Sequence, residues 1–204
     1  MLNHNHPARP YPELDGAYLK VLMLRYQQGD AGAADELVSL TTPLLSRYLY
    51  ATSLRALNLD DLLQECWLRI HRARGSYRPG EPVMPWVLAI ARHVRIDSYR
   101  KWRRTSGREV EIENRLEEIG KNPQKSWDQA IAAERLLELM KMLPEAQREV
   151  VVLLKVSGMS VQEVALATGS TPAAVKQKAY RAYQTIRGVM GVESKKQGAD
   201  DEVF

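Results

Sequence analysis

The stretch from Pro85 to Arg104 mixes basic and aromatic side chains in a pattern suited to an unpaired nucleic-acid strand. Basic groups hold backbone phosphates and aromatic rings stack on exposed bases, so the mixture suits single-stranded DNA better than an intact duplex. We assign Trp86 to the core and leave Tyr99 and Trp102 open between core packing and base stacking. The candidate contacts, expected on the exposed face of one helix, are Arg92, His93, Arg95, Tyr99, Arg100, Lys101, Trp102 and Arg103.

A second candidate nucleic-acid element is a predicted pair of short helices joined by a tight turn. Ser160 and Glu163 have capping-box spacing at the start of the first helix, and Gly169 falls where that helix must end. Thr171 can cap the second helix, with Pro172 at its first position. A short helix packed under a basic helix is the geometry that enters a DNA major groove. An ordinary helical hairpin would show the same spacing.

The second of these helices has an apolar face and a basic face. Lys176, Lys178 and Arg181 are candidates for phosphate or base-edge contacts, and Gln177 is a candidate for base readout. Tyr180 is either a backbone contact or a surface aromatic. The full set of candidate duplex contacts is Thr171, Ala173, Lys176, Gln177, Lys178, Tyr180 and Arg181.

An acid-rich patch opens an earlier predicted helix. Its members are Asp60, Asp61, Gln64 and Glu65, of which the last three share a face at helical spacing. Acids at a helix N-terminus complement the helix dipole, which is one sufficient reason for them.

Composition limits the classes of function. The chain has 204 residues, a formal net charge of +4 and basic side chains concentrated in two separate stretches, which indicates two contacts with a polyanion. Its single cysteine, Cys66, excludes an intramolecular disulfide and a cysteine-based zinc site. His71 and His93 are isolated, and we find neither a phosphate-binding glycine loop nor a nucleophile with a base. We therefore expect no enzyme activity, no metal and no cofactor.

Helical periodicity recurs along the chain and strand signals are almost absent, so we predict an all-α protein of two small domains joined by a flexible linker. No apolar run approaches transmembrane length and no signal-peptide core is present, so we expect a cytoplasmic protein. The expected organisation is a disordered leader over 1–14, a first domain over 15–104, an acidic linker over 105–126, a second domain over 127–190 and a mobile tail over 191–204. The expected helices are Asp15–Gln27, Ala33–Leu54 with a jog at Pro43, Asp60–Arg74, Pro85–Arg104, Asp128–Leu143, Pro144–Ser157, Ser160–Ala167 and Thr171–Gly188.

Two segments resemble the two DNA-binding domains of one family. Leu143–Arg187, which reads LPEAQREVVVLLKVSGMSVQEVALATGSTPAAVKQKAYRAYQTIR, resembles the C-terminal domain of sigma-70-like transcription initiation factors. Leu59–Arg104, which reads LDDLLQECWLRIHRARGSYRPGEPVMPWVLAIARHVRIDSYRKWRR, resembles their N-terminal promoter-melting domain. Their order, with a linker between and nothing else large, is typical of the extracytoplasmic-function (ECF) group.

The resemblance implies a role for each patch. The helix with Asp60, Asp61, Gln64 and Glu65 would dock on a coiled coil of core RNA polymerase. The basic-aromatic helix, with the loop before it, would grip the minus-ten element of promoter DNA and turn a base out of the stack. The helix–turn–helix would read the minus-thirty-five element. An anti-sigma factor, often membrane-bound, is a further expected partner. A helix–turn–helix regulator that acts without polymerase is the alternative, and it leaves the first two patches unexplained.

The sequence departs from the family pattern at three places. His93 stands where the family usually has Asn, VMPW replaces a more typical FRxW lead-in, and Trp67 takes a position usually held by Phe. These departures leave the expected fold unchanged, and they bear on the assignment of base contacts around His93.

Overall fold

The computed structural model describes residues 15–53, 58–105 and 138–200. Within these ranges the regular structure is helical and contains no strand, which confirms the all-α prediction. No helix in this part of the chain has both the length and the apolar character needed to cross a membrane. The expected leader over 1–14, almost all of the expected linker and the first residues of the second domain lie outside the described residues.

The N-terminal half contains four helices among its described residues, each within a few residues of its predicted bounds. The second helix begins two residues earlier than predicted because Asp30 caps it, and it continues through Pro43. The fourth begins at Val83, which places Pro85 in the first turn, where the missing N–H removes no hydrogen bond. These helices are α1 (Gly16–Gln27), α2 (Ala31–Thr52), α3 (Leu59–Ala73) and α4 (Val83–Thr105), with a 3₁₀ turn at Arg74–Ser76.

The C-terminal half is built from short helices and one long one. Residues 138–141 are helical, and the described part continues with α5 (Glu145–Val151), a π-helical turn (Val152–Val156), α6 (Val161–Thr168) and α7 (Pro172–Asp200). The last helix runs past its predicted end at Gly188, so residues 191–200 are helical where a mobile tail was expected. A helix-interior glycine costs only about 1 kcal/mol, which is why Gly188 and Gly191 do not end α7.

The predicted caps of the helix–turn–helix are confirmed. The Glu163 amide donates to the Ser160 hydroxyl at 3.2 Å, and the Ser160 amide donates to the Glu163 carboxylate at 2.8 Å. Gly169 ends α6 with φ at 61°, in the left-handed region that favours glycine. The Thr171 hydroxyl accepts from the Ala174 amide at 3.2 Å and so caps α7.

The two halves are in direct contact, which the prediction of two domains joined only by a linker did not include. Helix α6 packs on α4, and the π-helical turn and α5 pack on α2. Buried side chains from both halves, such as Leu45 and Val87 on one side and Val152 and Val164 on the other, form one continuous apolar cluster. The contact places α4 between its own domain and the helix–turn–helix.

Loss of the capping box should destabilise the helix–turn–helix. We expect Ser160→Ala to lower the free energy of unfolding by about 1 kcal/mol, because the substitution leaves the Glu163 amide without an intrahelical partner. Ser160→Asp, which keeps a side-chain acceptor, should retain most of the stability. Denaturant unfolding followed by circular dichroism measures both, and a Ser160→Ala protein as stable as the parent would contradict the assignment.

Candidate nucleic-acid interface

Helix α7 presents its candidate DNA contacts on the face away from the core. Val175, Ala179 and Ala182 form its buried apolar face. The Lys178 ammonium donates to the Ser170 hydroxyl at 3.2 Å and its side chain is half-buried. The other candidate contacts of this element are exposed: Thr171, Ala173, Lys176, Gln177, Tyr180 and Arg181. The surface of α7 is therefore available to a DNA duplex.

The C-terminal part of α4 forms the second basic surface. Arg100, Lys101 and Arg103 are exposed, and an open surface cavity is lined by Asp97, Arg100, Arg103 and Arg104. Since the guanidinium groups stand close together on successive turns, this end of α4 offers a concentrated positive potential to a phosphate backbone.

Tyr99 and Trp102, which the sequence left open between core and base stacking, stack on each other. Their ring centroids lie 6.2 Å apart with an interplanar angle of 23°. Both side chains are half-buried. The pair thus forms an aromatic platform at the basic end of α4. Trp86 is also half-buried and meets the Tyr77 ring edge-on at 5.7 Å, consistent with its assignment to packing.

The expectation that α4 exposes Arg92 and Arg95 together with His93 is wrong in this structure. Only His93 is exposed, and its Nδ1 lies 2.8 Å from the Ala89 carbonyl oxygen. Arg95 is 4% exposed, and Arg92 is half-buried. The reason is that the C-terminal half packs against this part of α4 and supplies a carboxylate, Glu149, that pairs with both guanidinium groups.

Glu149 is a buried, paired carboxylate beside the candidate site that the sequence analysis did not select. It is 4% exposed and accepts from the Tyr48 hydroxyl at 2.7 Å, from Arg95 Nη2 at 3.1 Å and from Arg92 Nε at 3.2 Å. A signal was present: Glu149 lies one helical turn before Val152 and Leu153, so it shares the apolar face of its helix. A carboxylate on such a face requires a partner from another element.

The electrostatics of this cluster favour the charged form of Arg95. Burial acts to lower the pKa of Arg95, but attraction to the Tyr48 oxygen and to the Glu149 and Glu145 carboxylates outweighs it, so the net shift is upward. Arg95 Nη1 donates to Glu145 at 2.6 Å. Burial, with the nearby Glu149 carboxylate, raises the pKa of Tyr48, which therefore stays a hydrogen-bond donor.

The acid-rich patch opens α3 as expected. Asp60, Asp61 and Gln64 are exposed, whereas Glu65 is half-buried. The Asn58 side chain caps the helix by accepting from the Asp60 amide at 2.9 Å. Because Asn58 already provides the cap, Asp61 and Gln64 have their side chains directed to solvent and are available to a partner.

Arg69 joins this patch to the basic helix. Its guanidinium donates to Glu65 at 2.7 Å, within α3, and to Asp97 at 2.8 Å, across to α4. The pKa of Asp97 is lowered, chiefly by the hydrogen bond from Arg69. Burial acts in the opposite direction, and electrostatic attraction to Arg69 and Arg100 adds to the lowering. A cleft between the two helices is lined by Asp61 and Glu65 on one side and by Lys101 and Trp102 on the other. The two surfaces are therefore held in a fixed relation.

Comparison with known proteins identifies a known family domain in each half of the chain. Residues 37–105 match sigma-70 region 2 and residues 133–186 match sigma-70 region 4. The RNA polymerase sigma factor CarQ of Myxococcus xanthus is 30% identical over 171 residues, which cover 83% of this chain and 95% of CarQ. The chain belongs to the sigma-70 family of RNA polymerase sigma factors.

The relatives also place this sigma factor in the ECF group. The ECF RNA polymerase sigma factor SigD of Mycobacterium tuberculosis is 30% identical over 183 residues, covering 87% of this chain and 86% of SigD. The fold is that of solved sigma factors. A structure of CnrH has a TM-score of 0.66 at 20% identity, covering 86% of this chain and 98% of CnrH. The sigma factor RpoE of Bartonella quintana has a TM-score of 0.63 at 20% identity, covering 78% and 96%.

The ion pair between Arg69 and Asp97 should change the pKa of Asp97 in a way that can be measured. Since the charged form of Asp97 is favoured in the folded chain, its contribution to stability is present above the unfolded pKa and is lost as the pH falls through the folded pKa. In Arg69→Gln we expect the pKa of Asp97 to rise toward its ordinary value. Carboxyl-detected NMR titration measures this pKa directly. Arg103→Gln removes a nearby cation that, among the described residues, forms no ion pair with Asp97, and it serves as the matched control. An equal rise in both variants would contradict the assignment.

Proposed function

We propose that this sigma factor binds core RNA polymerase, directs it to specific promoters and melts the minus-ten element. The observation that carries the proposal is the cleft in which the carboxylates of Asp61 and Glu65 on α3 face the basic and aromatic end of α4. A polymerase-binding surface and a strand-binding surface that share one rigid support would deliver single-stranded DNA at a fixed position on the enzyme. Neither surface is needed by a simple duplex-binding protein.

The polymerase-binding surface in this proposal is the start of α3. Asp60, Asp61, Gln64 and Glu65 would meet basic side chains of a polymerase coiled coil. Three of the four are exposed, and Arg69 orients Glu65. Exposed charge steers association and adds specificity more than affinity, so apolar neighbours such as the 43% exposed Leu68 would contribute the buried contact area.

The strand-binding surface is the C-terminal part of α4. Arg100, Lys101 and Arg103 would hold phosphates, and the Tyr99–Trp102 pair would stack on unpaired bases. Turning a base out of the stack costs a few kcal/mol, which pocket contacts and polymerase binding would offset without ATP. His93 would lie at the edge of this surface, and Arg92 and Arg95 would join it only after release from Glu149.

Helix α7 is proposed to read the minus-thirty-five element as a duplex. Exposed Lys176 and Arg181 would contact phosphates or base edges, and Gln177 would read a base. Lys178 would hold a phosphate once it leaves the Ser170 hydroxyl. Thr171, at the N-terminus of α7, and the small Ala173 would allow close approach of the helix end to the backbone, with Tyr180 as a further backbone contact.

In this proposal each half of the chain binds a different promoter element. Residues 15–104 would bind polymerase and the minus-ten element, residues 127–190 the minus-thirty-five element, and 105–126 would connect them. Catalysis would belong to the polymerase, and the protein would act in the cytoplasm. We also propose an anti-sigma factor as a partner, since the solved RpoE of similar fold is in complex with the anti-sigma factor NepR. Run-off transcription with and without core polymerase separates this function from a regulator that acts without polymerase.

Reversal of charge at Asp61 should abolish polymerase binding. In Asp61→Arg a cation would face the basic coiled coil, and we expect capture of core polymerase to fall at least tenfold while the circular dichroism spectrum is unchanged. Asp35→Arg makes the same charge change at an exposed position of α2 and should bind as the parent does. Undiminished capture by folded Asp61→Arg would exclude α3 as the docking helix.

Removal of the indole at position 102 should impair melting more than duplex binding. We expect Trp102→Ala to reduce permanganate reactivity of minus-ten thymines several-fold in promoter complexes, because one stacked base is worth about 1–3 kcal/mol. Tyr180→Ala provides the reverse comparison: it should weaken promoter binding and leave the reactivity of each bound complex unchanged. Parental reactivity in Trp102→Ala complexes would remove Trp102 from the strand-binding surface.

A further inference from the structure

The loop between the 3₁₀ turn and α4, residues 77–82, is tied to α1 by one side chain. The side-chain nitrogen of Gln27, Nε2, donates to the Arg74 carbonyl oxygen at 2.7 Å and to the Tyr77 carbonyl oxygen at 2.9 Å. Arg74 begins the 3₁₀ turn, and the backbone leaves the turn at Tyr77 in an extended conformation. Gln27 therefore holds the main chain at the point where the loop begins.

Gln27 lies next to the apolar face that packs α1 into its domain. That face is formed by Leu19, Leu22, Met23 and Tyr26, whereas Gln27 is half-buried. A primary amide has two N–H groups, so the two carbonyls use the full donor capacity of the side chain. Because both acceptors are backbone groups of one short segment, the amide specifies the path of the chain into the loop.

A second set of contacts closes the loop at its other end. The Tyr77 ring is buried and its hydroxyl donates to the Glu81 carbonyl oxygen. The Glu81 amide donates to the Arg78 carbonyl oxygen at 3.2 Å, and Gly80 has φ at 91°, in the left-handed region that favours glycine. The loop is thus a closed turn that Gln27 fixes at one end and the Tyr77 hydroxyl fixes at the other.

The loop forms one wall of a groove at the start of α4. Arg78 and Glu81 of the loop line this groove together with Trp86 of α4. A guanidinium, a carboxylate and an indole therefore lie around one space. Hydrogen-bonding groups beside an aromatic ring can hold a base that has left the stack.

The shape of this groove depends on bonds that are individually weak. The net contribution of one hydrogen bond changes an equilibrium constant about two- to tenfold, so the loss of both Gln27 bonds releases the loop to other conformations. A groove that must be ordered while it binds loses affinity to the cost of that ordering. A loop that is already fixed avoids this loss.

We propose that Gln27 is a positioning residue for the melting of the minus-ten element: it fixes the 77–82 loop so that the groove beside Trp86 is ready to hold an unpaired base. Gln27 does not touch DNA in this proposal and acts only through the Arg74 and Tyr77 carbonyls. Its effect on melting rests on the proposed function, whereas its effect on the loop is a property of the free chain.

Amide hydrogen exchange, measured by NMR on the free, full-length chain, tests whether Gln27 fixes the loop. Gln27→Met keeps the side-chain length and removes both donors, so we expect the Tyr77 and Glu81 amides to exchange several-fold faster than in the parent. Gln28→Met makes the same change at the next position, which is exposed, and should exchange as the parent does. Gln27→Lys keeps N–H donors on a longer side chain and should restore part of the protection.

Permanganate reactivity of minus-ten thymines in complexes with core polymerase tests the effect on melting. In Gln27→Met we expect the reactivity of each bound complex to fall several-fold, while capture of core polymerase is unchanged because the start of α3 is unaltered. Tyr77→Phe keeps the buried ring and removes the hydroxyl bond to Glu81, so it should release the loop from its other end and have the same effect. Circular dichroism establishes that each variant is folded.

The outcomes separate the positioning role from the proposed function. Faster exchange in Gln27→Met and Tyr77→Phe, with a selective loss of reactivity and partial recovery in Gln27→Lys, supports the proposal. Parental exchange in folded Gln27→Met overturns it, and so does a released loop with parental reactivity. An equal loss of capture and reactivity, or a Gln27→Lys chain as impaired as Gln27→Met, overturns it in favour of a general structural role. If the parent captures no polymerase, the proposed function fails, while exchange in the free chain still decides whether Gln27 fixes the loop.

Discussion

The neutralisation of one buried carboxylate, Glu149, governs how the two halves of this sigma factor are arranged. The carboxylate of Glu149 lies on the apolar face of α5, and the side chains one turn away on the same helix, Glu145, Ala146, Val152 and Leu153, offer it no donor. It finds donors in Tyr48, Arg92 and Arg95. Removing one partner from such a set is costly, about 3–5 kcal/mol, although the whole set adds little net stability. The need to pair Glu149 therefore fixes which surfaces of the two halves are in contact.

This constraint gives α4 two roles along its length. Its N-terminal part supports packing on both sides, through Val87 and Leu88 in its own half and through the contact with α6. Its C-terminal part extends beyond that contact and exposes Arg100 and Arg103. The basic side chains of one helix thus divide into those that pair with protein carboxylates and those that remain available to DNA.

Local structure followed from the sequence because its signals are local. Ser160, Glu163, Gly169 and Thr171 act within one helical turn of their own position, so their types and spacing were sufficient to place the helix–turn–helix. The exposed face of α7 followed from helical periodicity in the same way. The continuation of α7 to Asp200 did not, since a glycine weakens a helix without ending it.

The contact between the halves could not be predicted by the same means, because it depends on side chains about 50 to 100 positions apart. Arg95 was expected on an exposed face since arginine is rarely buried without a partner, and its partner lies on a different domain. A buried arginine can instead be used to predict its partner. When an acid shares the apolar face of one helix and an arginine occupies a buried register position of another, each explains the other, and the pair predicts a contact between their elements. For Glu149 and Arg95 that contact brings together the two domains, so the side chains that pair between them include two arginines, Arg92 and Arg95, that were expected to bind the promoter.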